Sequence, residues 1–531
     1  MLKATFRAVL ILFAIFLIGC AKRGNITGGA KDTLAPVLEM STPKNFSTEF
    51  KGNEVKLYFD EYVKIKDVNK QLVVSPPMNT APEISPTNAS KIITIKIKDT
   101  LQPNTTYSFN FGQSIQDNNE SNPYSQFKYV FSTGSYIDSL SIEGSVKDAL
   151  EKETDNFVKV MLYEMNDTYT DSIVYKEKPR YVTNTLDSVT TWKIENIRAG
   201  KYLLVALKDE NNNYKFNPKG DKIGFYTTPV EIPTTAKYEL KLFAEKGGFK
   251  AVKPYQASAN RVVVGYEGDP SKAKFEVKNG TDILQTIVTQ FPDKDSVQVW
   301  YKPIKTDSLK ISVTKDLYSK EFTYKTKNQK KDSLSISGAN GILHFRELFS
   351  LKSSTPIVTI DPTKISIRSK DSSAVAYTTD YDEFNQKLNF NFKKEPLEKY
   401  TIRLMPGALT DLMEQSNDTL TYKLSTRNTS EYGNLRLTLK NTKQFPVIVE
   451  LTDEKGKILA TEYAETEPIV NFEGLEPNKF YVRIIYDTNK NGQWDSGDFL
   501  EKRQAEEVIY FPKPLDVHNN WDVDETFDLG G

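Results

Sequence analysis

Two stretches of this 531-residue chain are copies of one another. The first, from Trp192, reads WKIENIRAGKYLLVALKDENNN, and the second, from Val470, reads VNFEGLEPNKFYVRIIYDTNKN; they align without a gap at an offset of 470 − 192 = 278. Glu195/Glu473, Lys201/Lys479, Asp209/Asp487, Asn211/Asn489 and Asn213/Asn491 are identical pairs, and the apolar positions coincide. Each copy spells a strand, a tight turn (Ala-Gly or Pro-Asn), a second strand and an Asp/Asn loop. A second pair matches more loosely. Leu101-Gln-Pro-Asn-Thr-Thr-Tyr107 leads to Asp117 and Phe131-Ser-Thr133, while Leu397-Glu-Lys-Tyr400 leads to Asp411 and Leu424-Ser-Thr426. Internal similarity of this kind parses the chain into repeated modules.

The modules are β structure. Apolar and polar residues alternate in short runs such as Val55–Phe59, Ile92–Ile97 and Tyr129–Phe131, and no segment holds a helical period for three turns. The 29 Phe and 28 Tyr supply aromatic side chains that suit strands and packed cores. The expected fold is all-β, a series of antiparallel β-sandwiches. Its order is 35–134, 138–246, 250–337, 338–428 and 430–531, after an N-terminal segment 1–19 and a tether 20–34. The first and fourth modules form one pair of copies, and the second and fifth the other.

Composition narrows the function. Seventy Lys+Arg balance seventy Asp+Glu, which leaves no electrostatic footprint for nucleic acid. One cysteine forbids a disulfide framework and a cysteine-rich zinc site. Two histidines without a partner His, Cys or Ser at catalytic spacing argue against a hydrolytic enzyme, and no catalytic residue is assigned. His344 reads as a half-buried strand residue and His518 as a loop residue. Asp60 and Glu61 are adjacent on a strand and so point to opposite faces, which keeps them from sharing a substrate.

The N-terminus reads as an address. Lys3 and Arg7 precede an apolar run from Ala8 to Ile18, too short for a membrane span of roughly 20 residues. It ends Leu17-Ile18-Gly19-Cys20, which resembles the lipobox of bacterial lipoproteins. The resemblance implies cleavage before Cys20, acylation of its thiol and anchoring to a membrane. Ala21 in place of an Asp points to the outer membrane, and Lys22-Arg23 stand where some Bacteroidota lipoproteins carry an acidic surface-export run. Periplasmic face and cell surface both stay open.

The first module, with Thr42-Pro43, Asp60-Glu61 after its strand, the Pro-Asn-Thr-Thr-Tyr turn and the closing Phe-Ser-Thr-Gly134, resembles the S-layer-type bacterial Ig-like domain. The repeated unit around Trp192 and Val470 resembles the carboxypeptidase-regulatory-like, or prealbumin-like, seven-stranded sandwich. The whole is similar to Ig-like-domain lipoproteins of Bacteroidota. That likeness implies a non-catalytic scaffold or protein-binding component of the envelope, with an outer-membrane assembly or secretion complex as partner. The alternative is a surface lipoprotein that binds glycan or mediates adhesion, to which Trp494 would lend a stacking face.

Two patterns remain. Asp487-x-Asn489-x-Asn491-Gly492, with Asp495 and Asp498 at positions nine and twelve, follows the EF-hand loop formula, whose alternate oxygens suit Ca²⁺. The other reading is a hairpin loop in which Asn-Gly supplies positive φ and Asp/Asn act as turn formers. The matching loop, Asp209 to Gly220, has Tyr214 in place of the glycine and reads as a degenerate copy. Asp-(Ser/Thr)-aliphatic triplets recur with their hydroxyl at Thr33, Thr100, Ser139, Ser172, Ser188, Ser296, Ser308, Ser333 and Thr419. Average usage gives roughly one such triplet in this length. They resemble the O-glycosylation sequon of Bacteroidota, and equally they mark the end of a turn and the start of a strand.

Overall fold

The structure is a computed structural model that describes residues 31–185 and 189–530. Cys20 and Ser188 lie outside the described residues. The fold is all-β, and the two α-helices among the described residues, Val68–Gln71 and Ile173–Lys176, have four residues each. The chain divides into two compact units between Asp138 and Ser139.

The first unit is a sandwich of eight strands: β1 (Leu38–Thr42), β2 (Glu54–Ile65), β3 (Val73–Ser75), β4 (Glu83–Ser85), β5 (Ser90–Lys96), β6 (Thr106–Asn110), β7 (Ile115–Asp117) and β8 (Lys128–Ser132). One sheet runs β1-β2-β5-β4 with β7 also on β2, and it faces the sheet β3-β6-β8. Alternation on β2 sends Val55, Leu57 and Phe59 inward, where they meet Ile93, Ile95, Phe109 and Phe131. Phe131 is the hub: its ring lies 4.1 Å from Phe50 and 5.4 Å from Tyr107. Each such ring buried stabilises the unit by about 1.5–3 kcal/mol.

The second unit begins with β9 (Leu140–Asp148), β10 (Lys159–Glu164), β11 (Tyr181–Asn184), β12 (Thr191–Ile197), β13 (Gly200–Lys208), β14 (Lys222–Phe225), β15 (Val230–Ile232) and β16 (Lys237–Leu242). They form sheets β12-β9-β16, with β16 parallel to β9, and β11-β10-β13-β14, with β15 also on β13. The C-terminal sandwich has the same pairing. Gly433–Lys440 lies between Ile469–Leu475 and the parallel Asp522–Asp528. Val447–Thr452 lies between Ile458–Ala464 and Asn478–Tyr486, and the last of these pairs Val508–Tyr510 and Leu515–Val517. The gapless repeat in the sequence is therefore a repeat of topology.

A sandwich with the first unit's strand order lies upstream of that C-terminal module. Ile336–Ser337, Phe349–Ser353, Lys387–Phe392 and Tyr377–Asp382 form one sheet; Ile365–Arg368, Lys399–Leu404 and Leu420–Ser425 lie in the other; Ile357–Ile360 pairs Leu409–Asp411. It lacks the Pro-Asn-Thr-Thr turn but keeps that turn's bonds. In the first unit Tyr107 Oη accepts the Gln102 amide at 2.9 Å and Thr133 Oγ1 donates to the Gln102 carbonyl at 2.6 Å. Here Tyr400 Oη accepts the Glu395 amide at 2.7 Å and Thr426 Oγ1 donates to the Glu395 carbonyl at 2.5 Å. Asn104 and Leu397 both take positive φ, 48° and 55°. The corner is conserved in bonds rather than in letters.

Between the two pairs lies a sandwich built on Arg261–Glu267 and Ser296–Tyr301 in one sheet and Lys274–Asn279, Ser308–Lys315 and Tyr318–Lys325 in the other. Its core gathers Val262, Val264, Phe275, Val277, Val299 and Ile311.

Candidate functional site

Consecutive burial on the paired inner strands marks where the second unit does more than fold. In β13 every residue from Tyr202 to Leu207 is buried, and in Val447–Thr452 all six are. A strand buried at every position is covered on both faces. Tyr202, Leu204 and Ala206 fill the module's own core; Leu203, Val205 and Leu207 face the other way and need a second layer, and the C-terminal module and its loops help provide one. Sequence reasoning missed this face, although the runs YLLVAL and VRIIY announce it.

The seam has an aromatic end and a polar end. At the aromatic end, Phe499 sits 5.1 Å from Phe225 and 6.2 Å from Tyr175, both edge-on. The Phe499 amide donates to Glu245 at 2.6 Å, Ser496 Oγ donates to the Ala244 carbonyl at 2.5 Å, and Gln504 donates to the Phe225 carbonyl at 2.9 Å. Burial raises the Glu245 carboxyl above its ordinary pKa, against the Phe499 amide, which lowers it. At the polar end Arg483 Nε donates to Glu450 at 2.6 Å, and Tyr510 Oη donates to the Leu150 carbonyl at 2.8 Å. Arg483 is 4% and Glu450 8% exposed, so the pair is inside the protein. Repeat equivalence makes the contrast plain: Met161, Val205 and Phe225 occupy in the first copy the register positions of Glu450, Arg483 and Tyr510 in the last.

Two open clefts flank this polar end. One, about 430 Å³, is lined by Lys152, Lys222, Asp453, Lys455 and Tyr481 among others; the second, about 420 Å³, includes Lys147, Lys443, Glu507 and Ile509. Lys222 is committed, at 2.7 Å from Asp148 and 2.8 Å from Asp155. Burial alone would lower its pKa, but these two carboxylates raise it overall.

The Asp/Asn loops lie beside the aromatic end. Asp487 accepts the amides of Asn491 at 3.1 Å and Gly492 at 2.8 Å, and the Tyr463 hydroxyl at 2.9 Å. Asn489 and Asn491 each donate their amide nitrogen to Asp495, at 2.5 and 2.6 Å. Asp498 instead accepts the Glu501 amide at 2.8 Å, in a separate turn. Among the described residues no group of three or more His, Cys, Asp or Glu side chains is placed to hold a metal ion. In this arrangement Asp487, Asn489, Asn491 and Asp495 build one hydrogen-bonded loop and Asp498 a separate turn. The earlier loop has the same backbone: Asn212 and Tyr214 take positive φ (53° and 63°) as Lys490 and Gly492 do (61° and 74°). Tyr214 tolerates it because Asp209 accepts its amide at 2.7 Å and Lys159 lies 4.2 Å above its ring.

Of the triplet hydroxyls, Thr33, Thr100, Ser139, Ser308, Ser333 and Thr419 are exposed, while Ser172 and Ser296 are half-buried. Ser139, Ser296, Ser308 and Thr419 stand at the start of strands, and Ser172 precedes a helical turn. Trp494 is half-buried, with its indole N–H on the Glu506 carbonyl at 3.2 Å. His344 is half-buried as expected but lies in a loop, not a strand: the chain turns at Phe345 after the two-residue strand Gly341–Ile342. Its Nδ1 is 3.1 Å from Tyr432 Oη and 3.4 Å from Glu476, across the contact between the fourth and last sandwiches. His518 packs edge-on against Trp521 at 4.6 Å. Asp117 and its counterpart Asp411 are buried loop-builders. Asp117 accepts the amides of Glu120, Ser121 and Asn122 at 2.6, 3.1 and 2.7 Å. Burial would raise its pKa, but these amides lower it overall.

Residues 32–133 match the family model of the bacterial Ig-like domain. No curated protein matches the chain. Among solved structures, the chain is similar to surface-layer protein SbsC, domains 1–6, at 12% identity over 91% of this chain and 67% of that one, with a TM-score of 0.16. It is also similar to the Bacteroides ovatus mixed-linkage glucan utilization locus protein SGBP-B, at 10% identity over 71% of this chain and 91% of that one, TM-score 0.18. The Bacillus anthracis TIE protein matches at 10% identity over 95% of this chain and 76% of that one, TM-score 0.13. The family match identifies a bacterial Ig-like domain at the start of a multidomain β protein.

Proposed function

We infer that this chain is a non-catalytic component of the bacterial cell envelope, lipid-anchored through Cys20 in the outer membrane, that offers its β-sandwiches to a protein partner. An outer-membrane assembly or secretion complex is the partner class. The observation that carries the reading is a cycle of contacts in the second unit. Lys219–Glu267 (2.9 Å) joins the sandwich of 138–246 to that of 250–337, Lys302–Glu414 (2.8 Å) joins the latter to that of 338–428, Arg346–Glu462 (2.5 Å) joins 338–428 to the C-terminal sandwich, and Tyr510–Leu150 (2.8 Å) closes from the C-terminal sandwich back to 138–246. A chain used only as a flexible spacer gains nothing from fastening its last module to an earlier one; a scaffold does, because the fastening holds binding faces in register.

The test is metabolic labelling with a palmitate analogue, fractionation, and crosslinked recovery of the chain from outer membranes. Label on Cys20 and one stoichiometric protein partner support the reading. An unlabelled, cytosolic chain overturns the anchor. A labelled chain that recovers no partner but gives reproducible hits on a glycan array overturns the scaffold reading in favour of glycan binding.

A further inference from the structure

We propose that the outer face of the first sandwich around Met40, Tyr58 and Ile92 rests against the lipid bilayer surface. The proposal builds on the reading of Cys20 as the acylated anchor. Met40 stands opposite Tyr58 on the neighbouring strand, and Tyr58 opposite Ile92, so the three form one row across β1, β2 and β5. Leu57 and Phe59 flank Tyr58 and are buried, so the row is on the face turned away from the core. Met40 is 54% and Ile92 40% exposed, and three neighbours extend the surface: Tyr62 at 58%, Val37 at 54% and Leu34 at 74%. Exposed apolar side chains gathered on one face mark a contact.

The place where the chain enters the sandwich names the occupant. Asn122 Nδ2 donates to the Asp32 carbonyl at 3.1 Å, and the Asn118 amide donates to the Tyr62 carbonyl at 2.9 Å. The two bonds put Asp32 and Tyr62 on one loop, so the chain arrives at the edge of the apolar face. From Cys20 to Asp32 there are 32 − 20 = 12 peptide steps. A segment of that length reaches about 40 Å at most. Strand β2, at 12 residues, is itself about 40 Å long. Acyl chains in the bilayer thus hold this end of the sandwich within its own length of the headgroups, at high effective concentration.

The chemistry of the face suits that interface. Tyr rings and aliphatic side chains settle at the boundary of headgroup and acyl chain. Lys91 Nζ is 5.9 Å from the Tyr62 ring, and Lys64 Nζ binds the Asn118 carbonyl at 3.0 Å, which puts two ammonium groups where lipid phosphates would lie. The acids at this end of the strand are Asp60, which accepts the Val37 amide at 2.8 Å, and Glu61, whose carboxyl is raised above its ordinary pKa by burial and by the charges of Asp117, Asp60, Asp32 and Glu120 at this edge, so that it sheds charge as it nears the interface.

The experiment uses the full lipidated chain in vesicles of phosphatidylethanolamine and phosphatidylglycerol. With the Cys20 thiol acylated, Met40→Cys or Ile92→Cys supplies the single free thiol for an environment-sensitive dye. Thr100→Cys, an exposed site beyond the opposite end of β2, is the control. Brominated lipids are expected to remove roughly half of the emission at positions 40 and 92, which burial of 5–10 Å implies, and to leave position 100 unchanged. A chain that floats with the vesicles while all three labels behave alike overturns the proposal and spares the anchor. Shielding of position 40 that appears only when outer-membrane proteins are added also overturns it. A chain that fails to float overturns the anchor reading, and the proposal falls with it.

Discussion

The carboxylate of Glu506 accepts the amides of Thr488 at 2.7 Å and Asp495 at 3.1 Å, and one repeat earlier Asp221 accepts the equivalent amides of Glu210 at 3.0 Å and Asn217 at 2.8 Å. Each loop is thus closed by a carboxylate reaching back from just before the next strand. Asp221→Ala or Glu506→Ala leaves two loop amides without their acceptor and should cost about 1–3 kcal/mol. Urea denaturation measures the loss, and hydrogen exchange should quicken at residues 488 and 495 in the Glu506 variant. Unchanged exchange there would show that the loop holds itself.

Glu506 and Glu245 also set a pH dependence. Burial raises both carboxyls, and the charges of Asp495 and Asp487 at Glu506, and of Asp498 at Glu245, raise them further. A carboxyl with a raised pKa in the folded state binds more protons there than in the unfolded chain. Its contribution is therefore present at and below the ordinary Glu value of about 4.3 and declines as pH rises through the folded value. Asp117 runs the other way: its lowered pKa contributes stability above the ordinary value, lost as pH falls through the folded value. Melting curves from pH 4 to 7, as an approximate range, should show Glu506→Gln and Glu245→Gln flattening the decline of the second unit on the alkaline side. Equal slopes in wild type and both variants would refute the assignment.

The repeat was legible because backbone requirements recur with the letters: Asp209/Asp487 and Asn213/Asn491 predict the same loop, and the two loops share their positive φ positions. The seam was not, because its partners are hundreds of residues apart and no local period encodes a distant contact. One signal did exist. Asn217 to Asp221 spans 4 residues, whereas Asp495 to Glu506 spans 11, so the last copy carries 11 − 4 = 7 extra residues. That insertion brings in Phe499 and Arg503, and it is the segment that docks on the earlier copy. The fourth sandwich shows the reverse lesson. Its missing Pro-Asn-Thr-Thr turn weakens the resemblance by letter, yet Tyr400 and Thr426 rebuild the corner through hydroxyls.

Calcium should not stabilise the second unit. Asp487 already has its oxygens engaged by two amides and a hydroxyl, and Asn489 and Asn491 turn nitrogen toward Asp495. Calorimetric melting with millimolar Ca²⁺ and then with chelator is expected to give the same midpoint. A rise with Ca²⁺ that Asp487→Ala abolishes would show that the loop rearranges into a cage.

Phe499 is the side chain that fastens the insertion. It is 4% exposed and meets Phe225 at 5.1 Å. Phe499→Ala should cost about 3–5 kcal/mol of the seam's stability, seen as faster proteolysis in residues 496–504 while each sandwich keeps its own core. A double-mutant cycle with Phe225→Ala should return a coupling of about 0.5–1.5 kcal/mol for the ring pair. No coupling would mean that the rings only share a cavity.

Arg483 and Glu450 test whether the polar end of the seam stabilises or specifies. Their first-copy equivalents, Val205 and Met161, show that the fold accepts apolar side chains at these register positions. Removing one charge strands the other inside the protein, so Arg483→Met alone should destabilise by about 3–5 kcal/mol. Arg483→Met with Glu450→Leu removes both desolvation costs and should recover most of that loss. Tyr510 would still donate to Leu150, because that bond uses the hydroxyl proton and not the guanidinium. The denaturant midpoints of the two variants decide the matter. If the double variant stays as unstable as the single one, the pair is contributing net binding energy to the seam. If it recovers but the last module no longer protects the Leu150 region from exchange, the pair's task is to set which faces meet.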